Sequence, residues 1–487
     1  MVGPLGLVTW VLPRPGLWPL ALASPAGADG TVTAGAGSRL ALHRSSRTAV
    51  TPGTAADSRS RSAGGQRAER LVFADVLRAA VIAMVIVHHS AMAYSPSRSS
   101  WPVQDPAHSG WFGPLLAVDA AVGMGLLFLL AGYFVPGSCE RKGSGRFLRE
   151  RWARIGMPLL IFVLAVNLPV VYVTGSVRAP ASFVRWLYDG GWQYAYLHLW
   201  FLAHLLAYTA IYVACRSLAR RAGRPPRTLA PSRHAAIAGF VLVLALCTWI
   251  IRIWYPVGRW VPLLFVLPAE PAHLPQYISM FALGVLAYRG DWLRRIPTRT
   301  GMIWLGIGLA AASSVFAAQA FGWWNDLMTA GGFNLPSLAR STCEALICVG
   351  LSIGLIVAFR QTFRRPGRLL TTLAAVSYAA YILHLYIVIS LQNLIKGAAL
   401  PVAAKFTVVA VLGIALSFGL ALLSRKIPGI RVILGTKSNG SHHACRSQRR
   451  QDPLGEGPAG ACSRGRRRSD QAPPINDRAC AGPTTSS

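Results

Sequence analysis

Apolar stretches of about 20 residues recur along this chain, each bounded by basic loops, and a bilayer core of about 30 Å needs helices of about that length. Ten such stretches are readable, at roughly 71–93, 111–136, 155–174, 195–215, 234–254, 273–289, 301–321, 340–359, 369–393 and 399–423. No period near 20–50 residues repeats, which excludes a solenoid. The chain is 53% hydrophobic and only 14% charged, against about a quarter charged in soluble domains. The expected fold is therefore all-α: a polytopic membrane protein of about ten transmembrane helices with disordered termini. The sixth stretch is the shortest, and the segment before it, "VPLLFVLPAEPAHLP", suits a re-entrant or interfacial position.

Three regions follow from composition. Residues 1–68 are rich in Gly, Ala, Ser, Thr and Arg and lack helical periodicity. They read as a disordered extension or as residues added by an over-long start. A cleaved signal peptide fits less well, because Pro13, Pro15 and Pro19 interrupt the apolar run and no basic segment precedes it. Residues 69–435 form the membrane domain. Residues 436–487 are polar, Arg-rich and Pro/Gly-rich, with nothing to bury, and read as a disordered basic tail. The eight cysteines form no CxxC pair, so neither a disulfide framework nor a metal site is expected.

The loops orient the chain. Twenty Lys and Arg residues lie in the loops after spans two, four, six and eight, against five in the alternate loops: Arg98, Arg178, Arg185, Arg259 and Lys396. The positive-inside rule then places both termini in the cytoplasm of a multi-pass cell-membrane protein. Basic loops facing anionic lipid also account for much of the +32 net charge, so no nucleic-acid partner is expected.

Polar groups inside spans carry the functional signal, because a charge in hydrocarbon costs a few kcal/mol, roughly, and marks a site by default. The first span, "LVFADVLRAAVIAMVIVHHSAMA", holds Asp75 and Arg78 near one end and His88 and His89 near the other. Asp75 and Arg78 can pair across one turn. Eleven residues on from Arg78, His89 falls within about 20° of the same helix face and about 16 Å along the axis, while His88 points about 100° away. His88 therefore reads first as an interfacial histidine. His198, at the start of span four, should lie at about the depth of His89. His384 lies past the midplane of span nine, with Tyr378 and Tyr381 just before it. Either histidine can be a helix-helix hydrogen-bonding residue or part of a site. Before span three, "RFLRERWARIGMP" sets Arg149, Arg151 and Arg154 within about two turns, either as a membrane-surface anchor or as a site for a phosphorylated donor.

Taken together, these residues resemble the acyltransferase-3 family of polytopic membrane acyltransferases. The resemblance spans about 70 to 430 and rests on Arg78 to His89 as an Arg-x10-His motif and Arg151 to Arg154 as an Arg-x-x-Arg motif. "LLFLLAGYF", "HLWFL", "YISMFALGVLAY" and "SYAAYILH" are similar to further family signatures. The first span looks most like the glucan-modifying branch typified by the periplasmic glucan succinyltransferase. The resemblance implies a ten-helix core that moves an acyl group from cytoplasmic acyl-CoA to a hydroxyl, usually of a carbohydrate, at the outer face. It gives His89 the catalytic imidazole, Arg78 a supporting role and the arginines before span three the CoA side, with no bound cofactor. The doubled histidine leaves His88 open as the catalytic group. Neutral imidazole suits either general-base catalysis or a covalent acyl-histidine. On physics alone, a buried Arg and membrane histidines suit a proton-coupled transporter equally well.

Overall fold

A computed structural model describes residues 71–96, 101–174, 180–188, 191–223, 233–264, 266–327 and 331–427. The chain divides after Glu69, and every described residue belongs to the second unit. The extensions expected to be disordered, 1–68 and 436–487, lie outside the described residues. So do Arg98, Arg178, Arg224 and Arg227 of the loops.

Each of the ten apolar stretches is a helix. In chain order the long helices are α1 (Val72–Met92), α2 (Phe112–Lys142) and α3 (Ser144–Tyr172), followed by the short α4 (Pro180–Tyr188). Then come α5 (Trp200–Arg221), α6 (His234–Trp254), α7 (Leu274–Gly290), α8 (Thr298–Ala320), α9 (Leu335–Thr362), α10 (Arg368–Ile395) and α11 (Val402–Ser424). Among the described residues, nine helical segments are long and apolar enough to cross a membrane. The exception is the sixth stretch, α7, at 17 residues. It is about 26 Å long at 1.5 Å per residue, a little short of a bilayer core.

Local chemistry explains the helix ends. Asp75 sits in the first turn of α1, where a carboxylate meets the positive end of the helix dipole. Asn334 caps α9 by accepting from the Ser337 amide at 2.8 Å, and Pro336 occupies the first turn, where no amide donor is needed. Gly143, at φ 77°, makes the turn between α2 and α3. Asp291 ends α7 in the left-handed region.

Small residues hold the bundle together. A Cβ on Gly132 of α2 would lie 2.2 Å from the Phe281 carbonyl oxygen, and one on Gly284 of α7 would lie 2.1 Å from that of Leu129. The two backbones touch through this reciprocal glycine pair, the close approach that membrane helices use in place of a hydrophobic driving force. The short α7 is thereby locked against the longest helix. The segment before it, expected to be re-entrant or interfacial, contains an antiparallel hairpin, β1 (Val261–Leu263) on β2 (Leu267–Ala269). The hairpin is tied to the start of the fourth span, since Tyr196 Oη donates to the Val266 carbonyl at 3.1 Å and His204 Nε2 donates to that of Pro268 at 3.0 Å.

Candidate active site

Three helices bring three imidazoles together. His89 is in the last turn of α1, His384 is mid-way along α10, and His198 is in the tight turn leading into α5. Ring centroids are 5.0 Å apart for His89 and His384, and 4.9 Å for His384 and His198. His198 and His384 are buried, while His89 is half-buried. His384 bridges the other two rings. Among the described residues no three His, Cys, Asp or Glu side chains converge as metal ligands.

The hydrogen bonds set each tautomer, because a backbone carbonyl can only accept. His384 Nδ1 is 2.6 Å from the Tyr381 carbonyl and therefore donates to it, which leaves Nε2 as an acceptor when the ring is neutral. His89 Nδ1 is 2.8 Å from the Val85 carbonyl and 3.3 Å from His384 Nε2, so its single N–H is shared between two acceptors. His89 Nε2 then keeps its lone pair, and among the described residues no hydrogen bond engages it. His198 donates from Nε2 to the Ile382 carbonyl at 3.1 Å, and its buried Nδ1 has no partner.

A surrounding set of contacts fixes the rings. Tyr381 Oη donates to the His198 carbonyl. Buried Asn167 of α3 donates to the Ala195 carbonyl at 2.8 Å and accepts from Tyr386 Oη at 2.5 Å. These bonds hold the turn in which Leu197 sits at φ 43°, ψ −125°. A non-glycine residue there carries strain of about 1–3 kcal/mol, of the kind stored beside functional groups. On the other side, the Trp101 ring lies 5.3 Å from that of His89. Trp101 Nε1 donates to Gln392 Oε1 at 2.9 Å, and Gln392 Nε2 donates to the His89 carbonyl at 2.9 Å. Buried Lys405 bonds both oxygens of Asp105 at 3.0 Å and so pins the loop that carries Trp101.

His88 faces elsewhere, as the helical geometry requires. Its Nδ1 is 2.9 Å from Asp119 Oδ2 of α2, an ion-pair approach without hydrogen-bond alignment. His88 therefore has the Asp119 carboxylate beside it. Asp119 was not singled out in the sequence, although an acid in an apolar span was signal enough. Trp101, Gln392 and Asn167 carried no such signal.

The arginines gather at the opposite end of α1. Asp75 and Arg78 pair at 3.0 Å, as their spacing predicts. Arg78 also lies over the Phe134 ring, at 5.6 Å. Arg151 lies over Phe147 at 5.3 Å, and both Arg78 and Arg154 act on it electrostatically. Tyr378 Oη donates to the Arg154 carbonyl at 2.9 Å. Arg151 ends the regular first part of α3, and Arg154 falls in the wider π-helical turn Trp152–Gly156. Such turns recur at functional sites. Three guanidinium groups gather here against the Asp75 carboxylate and, beside Arg154, that of Glu150, which Lys142 and Arg146 already bind, so positive charge is in excess, as an anion site needs. Arg149 is exposed and outside this group.

The sequence pattern of the acyltransferase 3 family, described as an acyltransferase domain, matches residues 71–425. The chain belongs to that family. No curated protein and no solved structure gives a significant match. The matched region begins at the first residue of the first span and ends one residue past α11, so the acyltransferase domain and the helical bundle coincide. The protein is an acyltransferase built as a multi-pass membrane protein.

Proposed function

We propose that this acyltransferase takes an acyl group from cytoplasmic acyl-CoA and places it on a hydroxyl of a cell-envelope carbohydrate, a glucan by the resemblance of the first span, at the outer face of the cell membrane. The observation that carries the reading is the pairing of His89 Nε2, left with its lone pair, with the arginine cluster about 16 Å away along the same helix. The arginines, Arg78, Arg151 and Arg154, would hold the phosphates of CoA, and the pantetheine arm would run along α1 towards His89. His89 Nε2 accepts the proton of the acceptor hydroxyl as its oxygen attacks the thioester carbonyl carbon. The C–S bond breaks, and the departing thiolate takes the proton back from the imidazolium. His384 accepts from Nδ1–H throughout and stabilises the charged ring. The decisive experiment is acyl-CoA consumption by membranes containing the protein, with the acyl group recovered on glycan. Absence of donor turnover would overturn the proposal.

Arg151→Ala is expected to raise the acyl-CoA concentration needed for half-maximal turnover by roughly tenfold to a hundredfold, the worth of one or two charge-assisted hydrogen bonds. Arg149→Ala should have little effect, because that side chain is exposed and outside the cluster. Equal effects of the two, tracking protein level, would make the arginines a membrane anchor instead.

The orientation proposed is both termini in the cytoplasm, with the short α7 crossing as the sixth span. Single cysteines replacing exposed Gln104 and exposed Gly145, in a background without native cysteines, test it. Residue 104 should react with an impermeant maleimide on intact cells, and residue 145 only after permeabilisation. The reverse pattern would invert the topology and move His89 to the cytoplasmic side.

A further inference from the structure

A polar cavity opens on the same end of the bundle as His89. It has a volume of about 640 Å³, within the 300–1,000 Å³ of typical ligand sites. It begins at Ser95, six residues beyond His89 in the chain, and is bounded by Gln319, Trp324, Asn325 and Arg340. Among the described residues that line the space, only Arg340 carries a full charge. A cationic ligand is therefore disfavoured, and a neutral or anionic one fits.

The walls are built rather than incidental. A Cβ on Gly113 would lie 2.8 Å from the Trp324 ring, and one on Gly110 would lie 2.8 Å from the Gln319 amide nitrogen. Both side chains therefore lie directly on glycine backbone and are held in place. Gln319 Oε1 is shut off from solvent and finds no hydrogen-bond partner among the described residues, although it belongs to a cavity-lining side chain. Arg340 is oriented by its Nε bond to Glu344 at 2.8 Å, and Glu344 is in turn paired with fully buried Arg252. An indole beside two carboxamides and a guanidinium is chemistry suited to sugar rings, whose C–H faces pack on aromatic rings while amides and guanidinium bond the hydroxyls.

We infer that this cavity is a docking subsite for a carbohydrate chain, separate from the histidine cluster, which holds the acceptor glycan while one of its hydroxyls reaches His89. The inference rests on the function proposed above and specifies where the acceptor is held. The subsite sets acceptor affinity, while His89 sets the chemical step.

The test uses purified full-length protein in nanodiscs on an array of neutral and anionic glucose and mannose oligosaccharides. Wild type should retain at least one of them, Trp324→Ala and Gln319→Ala should lose at least tenfold in affinity, and Trp324→Phe should recover most of the loss. His89→Ala should bind as wild type does. With the retained oligosaccharide as acceptor, Trp324→Ala should raise the KM for that acceptor at least tenfold, against a change of under twofold in the KM for acyl-CoA. Retention of no sugar, or Trp324→Ala and Gln319→Ala proteins that bind and transfer with unaltered acceptor dependence while acyl-CoA is still consumed, would overturn the subsite alone. Absence of any acyl-CoA consumption by wild type would instead overturn the underlying function.

Discussion

His89→Ala should abolish acyl transfer, with a loss of about 10²–10⁴-fold, the usual contribution of a general base. His88→Ala should leave a measurable fraction of activity. The two residues are adjacent in the chain, but the helix turns them about 100° apart and the bundle gives them different neighbours. His89 shares its Nδ1–H between the Val85 carbonyl and His384 Nε2, which frees Nε2 for a substrate proton. His88 is committed to Asp119. His384→Ala belongs in the same series. It removes one acceptor of the His89 N–H but leaves the Val85 carbonyl, so its loss should be smaller than that of His89→Ala. Membrane vesicles matched for protein would be assayed for acylated glycan. A dead His88→Ala beside an active His89→Ala would show that the Asp119-bound imidazole is the base. Full activity in both would remove the histidine mechanism.

The helical skeleton was legible because each span is a run of some 20 apolar residues, a signal that does not depend on tertiary context. The Arg78-to-His89 alignment was legible for a similar reason, since a single helix has a fixed pitch and two positions on it have a known angle. The Asp75–Arg78 pair belongs to the same class. What could not be read is whatever depends on which helices touch. His384 meets His89 across 295 residues of chain, and Gln392 meets Trp101 across 291. No periodicity connects such positions. The cations Arg252 and Lys405 stand just inside the ends of their apolar stretches, but their partners Glu344 and Asp105 lie 92 and 300 residues away. The length of α7 was readable in the sequence as the weakest span. Its locking against α2 through Gly132 and Gly284 was not, because glycine in an apolar run marks a close approach without naming the helix that approaches.

Glu344→Ala should be the most destabilising single substitution in the bundle, at about 3–5 kcal/mol, because it strands a buried guanidinium. Arg252 has no exposed surface, and its Nη2 is 2.5 Å from Glu344 Oε2. Its other hydrogen bond, to Ser341 Oγ at 3.3 Å, is long, and its Nε has no partner. The carboxylate also takes the Arg340 Nε bond and lies 3.9 Å from His273. His273 continues the network to Glu270, at 2.9 Å. Burial pushes the Glu270 carboxyl up, but the charge and hydrogen bond of His273 and the Gly258 amide outweigh it and hold the group below the usual carboxylate range. Removing Glu344 takes the central anion out of this chain of charges. With membrane domains as marginally stable as others, of order 5–15 kcal/mol, such a loss should lower the melting temperature in detergent well below that of His89→Ala. Glu344→Gln keeps an acceptor without the charge and should fall between. Replacing both buried partners, Arg252→Met with Glu344→Leu, should regain most of the stability, because an apolar pair of similar volume avoids desolvating two charges. The same double variant removes the Glu344 carboxylate from Arg340 at the edge of the cavity. It should therefore melt near wild type yet retain less oligosaccharide. A Glu344→Ala protein that melts with wild type would show that the pair contributes nothing to the fold. A double variant that binds sugar normally would detach Arg340 from the cavity's function.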